Sequence, residues 1–273
     1  MRENAAFVTA DTATKIPPEA AGAVLVCGSH GGLYPGALVA KAKVRAAILC
    51  DAGIGLDEAG VASLPWLESL GVAAAAISHL SCRIGDTGDM LARGAVSRAN
   101  AVAAALGVRP GMGTAEAAER LAAAPLANAA PPPVGETRLT LERPGGRRIL
   151  VVDSAAMVGQ EDSGAIVVTG SHGGLVGGAP AMALRTDGYA AVFNDAGIGI
   201  EQAGIARLPA LDERGIAAFT VAAASARIGE ARSSYETGVI SAVNRRASAL
   251  GAAPGDRARD VLEAWAGAPQ RAG

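Results

Sequence analysis

The chain has 273 residues, 50% hydrophobic and 18% charged, a composition that supports a large core and excludes intrinsic disorder. A formal net charge of −2 and an aromatic share of 3% argue against nucleic acid as a partner, because phosphate binding wants a basic face and base stacking wants rings. No long apolar h-region opens the sequence, no apolar run reaches membrane-span length, and the three cysteines all lie in the first half, so a cytoplasmic protein without a disulfide framework is expected.

In chain order, FVTADT (Phe7–Thr12) reads as a short strand ending on Asp11. VLVCGSHGG (Val24–Gly32) is a buried-type strand running into a glycine-rich turn, and Pro35–Lys43 has helix length. RAAILCDAG (Arg45–Gly53) is a second apolar run, followed by a helix-length segment over Asp57–Leu70. VAAAAIS (Val72–Ser78) is a third run; SCRIG (Ser81–Gly85) follows it, and Gly88–Leu106 is expected to be a helix. A further helix is expected over Thr114–Ala124. The Pro-rich AAPPPVGE (Ala129–Glu136) then breaks the pattern, before a hairpin in which TRLTLE pairs with RRILVVD across a turn at Pro144–Gly146.

From that hairpin onward the order starts again. IVVTGSHGG (Ile166–Gly174) repeats the first glycine motif, NDAGIG (Asn194–Gly199) repeats CDAGIG (Cys50–Gly55), and SARIG (Ser225–Gly229) repeats SCRIG. Asp153–Ser154 corresponds to Asp11–Thr12, ALGAAPG (Ala249–Gly255) to ALGVRPG (Ala105–Gly111), and Asp256–Ala266 to the helix over Thr114–Ala124. The expected fold is α/β: two tandem pseudo-twofold-related repeats, each a mainly parallel sheet of about four strands flanked by helices. The first repeat covers 4–125, the Pro-rich linker and hairpin arm 126–146, and the second repeat 147–273.

All three repeated motifs fall at the carboxyl ends of strands, where open parallel sheets bind ligands. In GSHGG, Ser29 and Ser171 offer hydroxyls and the amides of Gly31 and Gly173 can hold an anion or an oxyanion. His30 and His172 can transfer protons. The alternative is a capping serine and a locally packed histidine. In DAGIG, Asp51 and Asp195 can orient the histidines, act as bases, bind a cation, or simply cap the next helix. Ser81, Arg83, Ser225 and Arg227 bring hydroxyls and guanidinium forks suited to a carboxylate, unless the arginines pair with Asp86 and Glu230.

Cys27, Cys50 and Cys82 occupy three adjacent strand ends of the first half only, facing Thr169, Asn194 and Ala226 in the second. They can converge on a metal or iron–sulfur cluster, or supply one activated thiolate beside His30, with Cys27 or Cys50 as the catalytic candidate. As small apolar residues they also suit an Ala-rich core, and no CxxC spacing supports a metal. His79 has no counterpart in the second half, where Ala223 stands, and is expected to be a packing or rim residue. Ser97, Asn100, Ser241 and Asn244 are expected on helical faces, capping backbone or packing against the other half.

The expected function is an enzyme on a polar, carboxylate-bearing small molecule, with hydrolysis of an amide or cyclic-amide C–N bond placed first. A proton-transfer lyase or isomerase, a non-catalytic binding protein for an anionic metabolite and a Cys-ligated metalloenzyme are the alternatives. No cofactor is expected, and a homodimer is a possible assembly. GxSxG, HExxH and a Walker loop are absent, which removes the common hydrolase, zincin and NTPase signatures.

Overall fold

Residues 7–268 are described by the structure, a computed structural model; residues 4–6 and 269–273 of the expected repeats lie outside them. The first sheet has the order β1 (Phe7–Ala10), β2 (Val24–His30), β3 (Ala46–Cys50), β4 (Ala73–Ile77) and β5 (Val96–Ala99). Strands β1 to β4 are parallel and β5 runs antiparallel to β4. The second sheet is built alike from β7 (Ile149–Val152), β8 (Ile166–His172), β9 (Ala190–Asn194), β10 (Ala217–Val221) and β11 (Ile240–Val243). It gains one strand, β6 (Arg138–Leu141), antiparallel to β7, which is the expected hairpin arm.

The central strands are buried along their whole length, which is why they read as continuous apolar runs. Alternate residues enter opposite cores. Val24, Val26, Ala46, Ile48, Ala73 and Ala75 face one side of the first sheet, while Leu25, Cys27, Ala47, Leu49 and Ala74 face the other. Helices α1 (Leu33–Lys41) and α2 (Ser63–Ser69) cover the second of these sides through Val39, Leu64 and Leu67. Helices α3 (Thr87–Arg93), α4 (Ala101–Ala105) and α5 (Thr114–Leu121) cover the first through Met90, Ala103 and Leu121.

In the second half, α6 (Arg207–Glu213) packs on one face of its sheet through Leu208 and Leu211. On the other face lie α7 (Ala231–Glu236), α8 (Arg245–Ala249) and α9 (Ala258–Gly267), which bring Tyr235, Ala247 and Trp265.

Three expectations are corrected. The sheets have five and six strands, not about four each. The segment 88–106 is not one helix: α3 ends at Gly94, β5 pairs with β4, and α4 follows. An added Cβ at Gly94 would lie 2.4 Å from the Met90 carbonyl and 2.6 Å from Thr114 Oγ1, so a close turn there releases the chain into the sheet. Asn100 and Asn244 then cap α4 and α8, each side-chain oxygen accepting from the amide three residues on, while Ser97 and Ser241 lie on strands.

The two sheets meet through the loops at the carboxyl ends of their strands, and the contacts come in reciprocal pairs. The Leu56 amide donates to the Ala223 carbonyl at 2.8 Å and the Ile200 amide to the His79 carbonyl at 2.9 Å. Arg83 pairs with Glu201 at 2.8 Å and Arg227 with Asp57 at 2.6 Å. Cys50, Ala52 and Ile84 share one apolar cluster with Ala196 and Ile228. No helix of the described residues is long and apolar enough to cross a membrane.

Candidate functional site

Both GSHGG turns leave their strand by the same device. Pairing of β2 with β3 is regular to Val26↔Ile48, shifts, and resumes at His30↔Cys50; β8 shifts likewise between Val168 and His172. Such irregularities re-aim side chains at strand ends. Here they turn His30 and His172 into a single cleft of about 100 Å³ between the two halves. Each imidazole leans on the other half: an added Cβ at Gly229 would lie 3.3 Å from His30 Cε1, and one at Gly85 3.4 Å from His172 Cε1. The final glycine of SCRIG and SARIG, rather than the arginine, is what that motif brings to the histidines.

The hydrogen bonds fix the state of both rings. Nδ1 of His30 accepts the Gly32 amide at 3.1 Å, and Nδ1 of His172 accepts the Gly174 amide at 3.2 Å. A neutral imidazole that accepts at Nδ1 carries its proton on Nε2. Burial pushes the His30 pKa down to about 4. Burial, with the charge of Arg207 and the neighbouring His30, holds His172 well below its ordinary value. Both rings are therefore neutral Nε2–H donors, and no acceptor among the described residues engages either Nε2.

Arg207, at the start of α6, lines the same cleft and is 4% exposed. Its Nε donates to the Gly174 carbonyl at 2.9 Å and Nη1 to the Ala183 carbonyl at 2.6 Å, with the guanidinium 4.8 Å above the Phe193 ring. Among the described residues no carboxylate pairs with it and no acceptor engages Nη2. Burial lowers its pKa to about 10, which leaves it a cation at neutral pH.

The equivalent residue of the first half is Ser63, buried against Gly36 of α1. A Cβ at Gly36 would lie 2.4 Å from Ser63 Cβ, so an arginine at 63 has no room beneath that helix. In the second half the helix is missing. Gly177 and Gly178, both at positive φ, and Pro180 leave only two short 3-10 turns, Val176–Gly178 and Pro180–Met182. The space that α1 fills in one half admits Arg207 in the other.

The same cleft is lined by Glu136, delivered by the Pro-rich linker, with Tyr34, Asp153 and Ser154 close to its carboxyl group. Burial raises the Glu136 pKa, and the Asp153 carboxylate adds to the rise, against the opposing pull of the Tyr34 and Ser154 hydroxyls. Glu136 Oε1 is buried with no partner among the described residues.

Ser29 and Ser171 line the cleft, each hydroxyl accepting a backbone amide, from Ala13 and Ala155, at 2.9 Å. That leaves the hydroxyl protons to donate. Gly31 and Gly173 do not form an oxyanion hole, because their amides donate at 2.7 Å to the Cys50 and Asn194 carbonyls.

Nor do the aspartates orient the cleft histidines. Asp51 Oδ1 accepts from His79 Nδ1 at 2.8 Å and from the His79 amide at 2.9 Å. Burial alone would raise the Asp51 pKa, and the His79 hydrogen bonds outweigh it and hold the carboxylate below its ordinary value. Asp195, facing Ala223, instead accepts the Ala223 and Gly197 amides. Asp11 and Asp153 accept the Thr87 and Ala231 amides at the starts of α3 and α7.

Arg83 and Arg227 lie on the surface in ion pairs with Asp86, Asp89 and Glu201, and with Asp57 and Glu230. Ser81 and Ser225 bridge their own loops, donating to the Ser78 and Ala222 carbonyls and accepting from the Ala95 and Val239 amides.

The thiols of Cys27, Cys50 and Cys82 are fully buried in three separate apolar clusters. Burial, with the charges of Cys82 and Asp51, pushes the Cys50 thiol well above its ordinary pKa, the reverse of what a nucleophile needs. No group of three or more His, Cys, Asp or Glu side chains among the described residues is arranged to hold a metal ion.

Arg207, Glu136 and Tyr34 are the cleft residues that motif reasoning missed. Arg207 had a usable signal: it stands opposite Ser63 where the flanking segments otherwise align. Glu136 had none, being an acidic residue in a linker. Comparison with protein-family models, curated proteins and solved structures gives no match.

Proposed function

We propose that the cleft is the active site of an enzyme for a small carboxylate-bearing molecule, and that the chain is an internal duplication whose pseudo-twofold-related halves have divided the work. The reciprocal contacts between the halves support the duplication. One observation carries the function: Arg207, His30 and His172 line one cleft, and among the described residues no acceptor engages Arg207 Nη2 or either Nε2. An anion in the cleft would give all three donors a charge-assisted acceptor.

In this reading Arg207 holds the substrate carboxylate. The two Nε2–H groups donate to the oxygen on which negative charge develops, a task neutral imidazoles perform as fixed electrophiles. The base role expected of the histidines passes to Glu136, since their Nδ1 lone pairs are committed to amides. Its raised pKa and unpartnered oxygen suit a carboxylate that takes a proton. A proton taken from carbon next to a carbonyl gives an isomerase or lyase, the reading favoured by two neutral donors poised for an enolate oxygen. Hydrolysis of a C–N bond uses the same parts, with Glu136 taking its proton from an attacking water.

A panel of short 2-oxo and 3-oxo acids in D₂O, followed by NMR, and of small amido acids, followed by amine release, tests both. Deuterium uptake lost in Glu136→Gln is the expected result. Ligand binding with neither exchange nor amine release would make the protein a binding module and sink the enzymatic reading.

A further inference from the structure

The cleft is not polar throughout, although the sequence suggested a polar substrate. Its donors come from β2, β8 and α6. The rest of the lining includes an apolar wall contributed by both halves: Pro35 and Leu38 from α1, and Val176, Met182 and Leu184 from the irregular segment that replaces α1 in the second half. Leu184 is 2% exposed and belongs to the second core, so that part of the wall is rigid; Met182, at 37%, forms its outer lip.

Resting on the proposal that the cleft binds a carboxylate, we infer that the ligand is a short-chain aliphatic monocarboxylate, its charged end on Arg207 and its hydrocarbon chain along this wall. A second carboxylate has no comparable place. Arg207 is the cleft's one buried cation among the described residues, while Lys15 and Arg185 stand exposed at the rim, where attraction is screened. Glu136 and Asp153, which also line the cleft, repel a second negative charge. A wholly polar ligand would also leave the apolar wall in water, forfeiting its burial. The cleft, about 100 Å³, falls well below the roughly 300–1,000 Å³ of ordinary ligand sites, which limits the chain to a few carbons.

Titration calorimetry of the full chain with straight-chain carboxylates from acetate to octanoate, with succinate and glutarate, and with butylamine, at fixed ionic strength, tests this. Affinity is expected to rise about three- to fourfold per methylene through about butyrate or pentanoate and then fall, with butyrate binding at least tenfold tighter than succinate. Butylamine is expected not to bind.

Met182→Asn, an uncharged polar change at this exposed position, should weaken butyrate binding more than acetate binding and so flatten the chain-length dependence. Carboxylates that bind with no dependence on chain length, or succinate that binds as well as butyrate, would overturn the aliphatic inference and leave the carboxylate site standing. No binding by any carboxylate would overturn both.

Discussion

Gly53 and Gly197 meet backbone to backbone where the two halves join. A Cβ on Gly53 would lie 2.7 Å from Gly197 Cα, and one on Gly197 2.8 Å from Gly53 Cα and 2.9 Å from the His79 ring. Both glycines also sit at φ +76, so a side chain there meets a steric wall and a disfavoured backbone together.

Gly53→Ala should therefore cost about 2–4 kcal/mol, the sum of the left-handed penalty and overpacking at an interface with no slack. Gly22 is the control, with φ +74 and nothing within 4 Å of an added Cβ. Gly22→Ala should cost only about 1 kcal/mol. Urea denaturation of the two variants separates conformation from contact; equal losses would show that the halves yield at this joint.

The same loops hold side-chain-bearing residues in the left-handed region. Ala52, Ile54, Asp57 and Glu58 in the first half, and Ala196, Ile198, Glu201 and Gln202 in the second, all have φ between +47° and +64°. Glu58 is the cleanest place to relieve this, because its side chain is 71% exposed and its ion pair with Arg98 is long at 3.7 Å. Glu58→Gly should stabilise the protein by about 0.5–1 kcal/mol, the left-handed penalty less the extra chain entropy of glycine. A loss of stability on thermal unfolding would mean that the loop is held by contacts of the glutamate itself.

His30 couples stability to pH with a definite sign. Its folded pKa, about 4, lies below the unfolded value of 6.5, so the unfolded chain binds the proton first. Its contribution is fully present above pH 6.5 and is lost progressively as pH falls towards 4, amounting to about 3 kcal/mol. His30→Asn keeps an acceptor for the Gly32 amide and an N–H donor without a titrating group. Its stability should fall less steeply between pH 6.5 and 4. A parallel decline in wild type and variant would assign the acid sensitivity to other groups.

Much of this architecture was legible because the burial physics was local. VLVCGS, RAAILC and VAAAAI are uninterrupted apolar runs, and strands covered on both faces require that pattern. Their carboxyl-end motifs located the cleft through His30 and His172 for the same reason. Side-chain partners were not legible. Arg83 and Arg227 have the residue type that binds carboxylates, yet they lie on the surface because Glu201 and Asp57 approach from the other half, a contact no local pattern encodes. Asp51 meets His79 and not His30 because the loop after β4 crosses it. Strand β5 was hidden inside a helix-like stretch because pairing with β4 overrides local preference.

Arg207 sets the charge of the cleft, and copying the first half at this position tests it. Arg207→Ser installs the residue found at 63 but leaves the Gly174 and Ala183 carbonyls without their donors. A stability loss of about 2–4 kcal/mol is expected in the absence of ligand. The thermal shift produced by butyrate in the wild type should disappear as well. Persistence of that shift would move carboxylate recognition to Lys15 or Arg185 at the rim.

Glu136 sets the acid limb of activity. Burial and the neighbouring Asp153 keep its proton on to higher pH than an ordinary glutamate would allow, and the base form exists only above that raised value. Turnover should fall as pH drops through a value raised above glutamate's ordinary one, and Glu136→Gln should lower kcat by about 10²–10⁴-fold with little change in ligand affinity. Asp153 supplies part of the rise, so Asp153→Asn should move the acid limb to lower pH while Glu136 still works. It also removes the acceptor for the Ala231 amide at the start of α7, and folding must be checked by circular dichroism alongside. An acid limb unmoved in a folded Asp153→Asn protein would show that another group takes the proton.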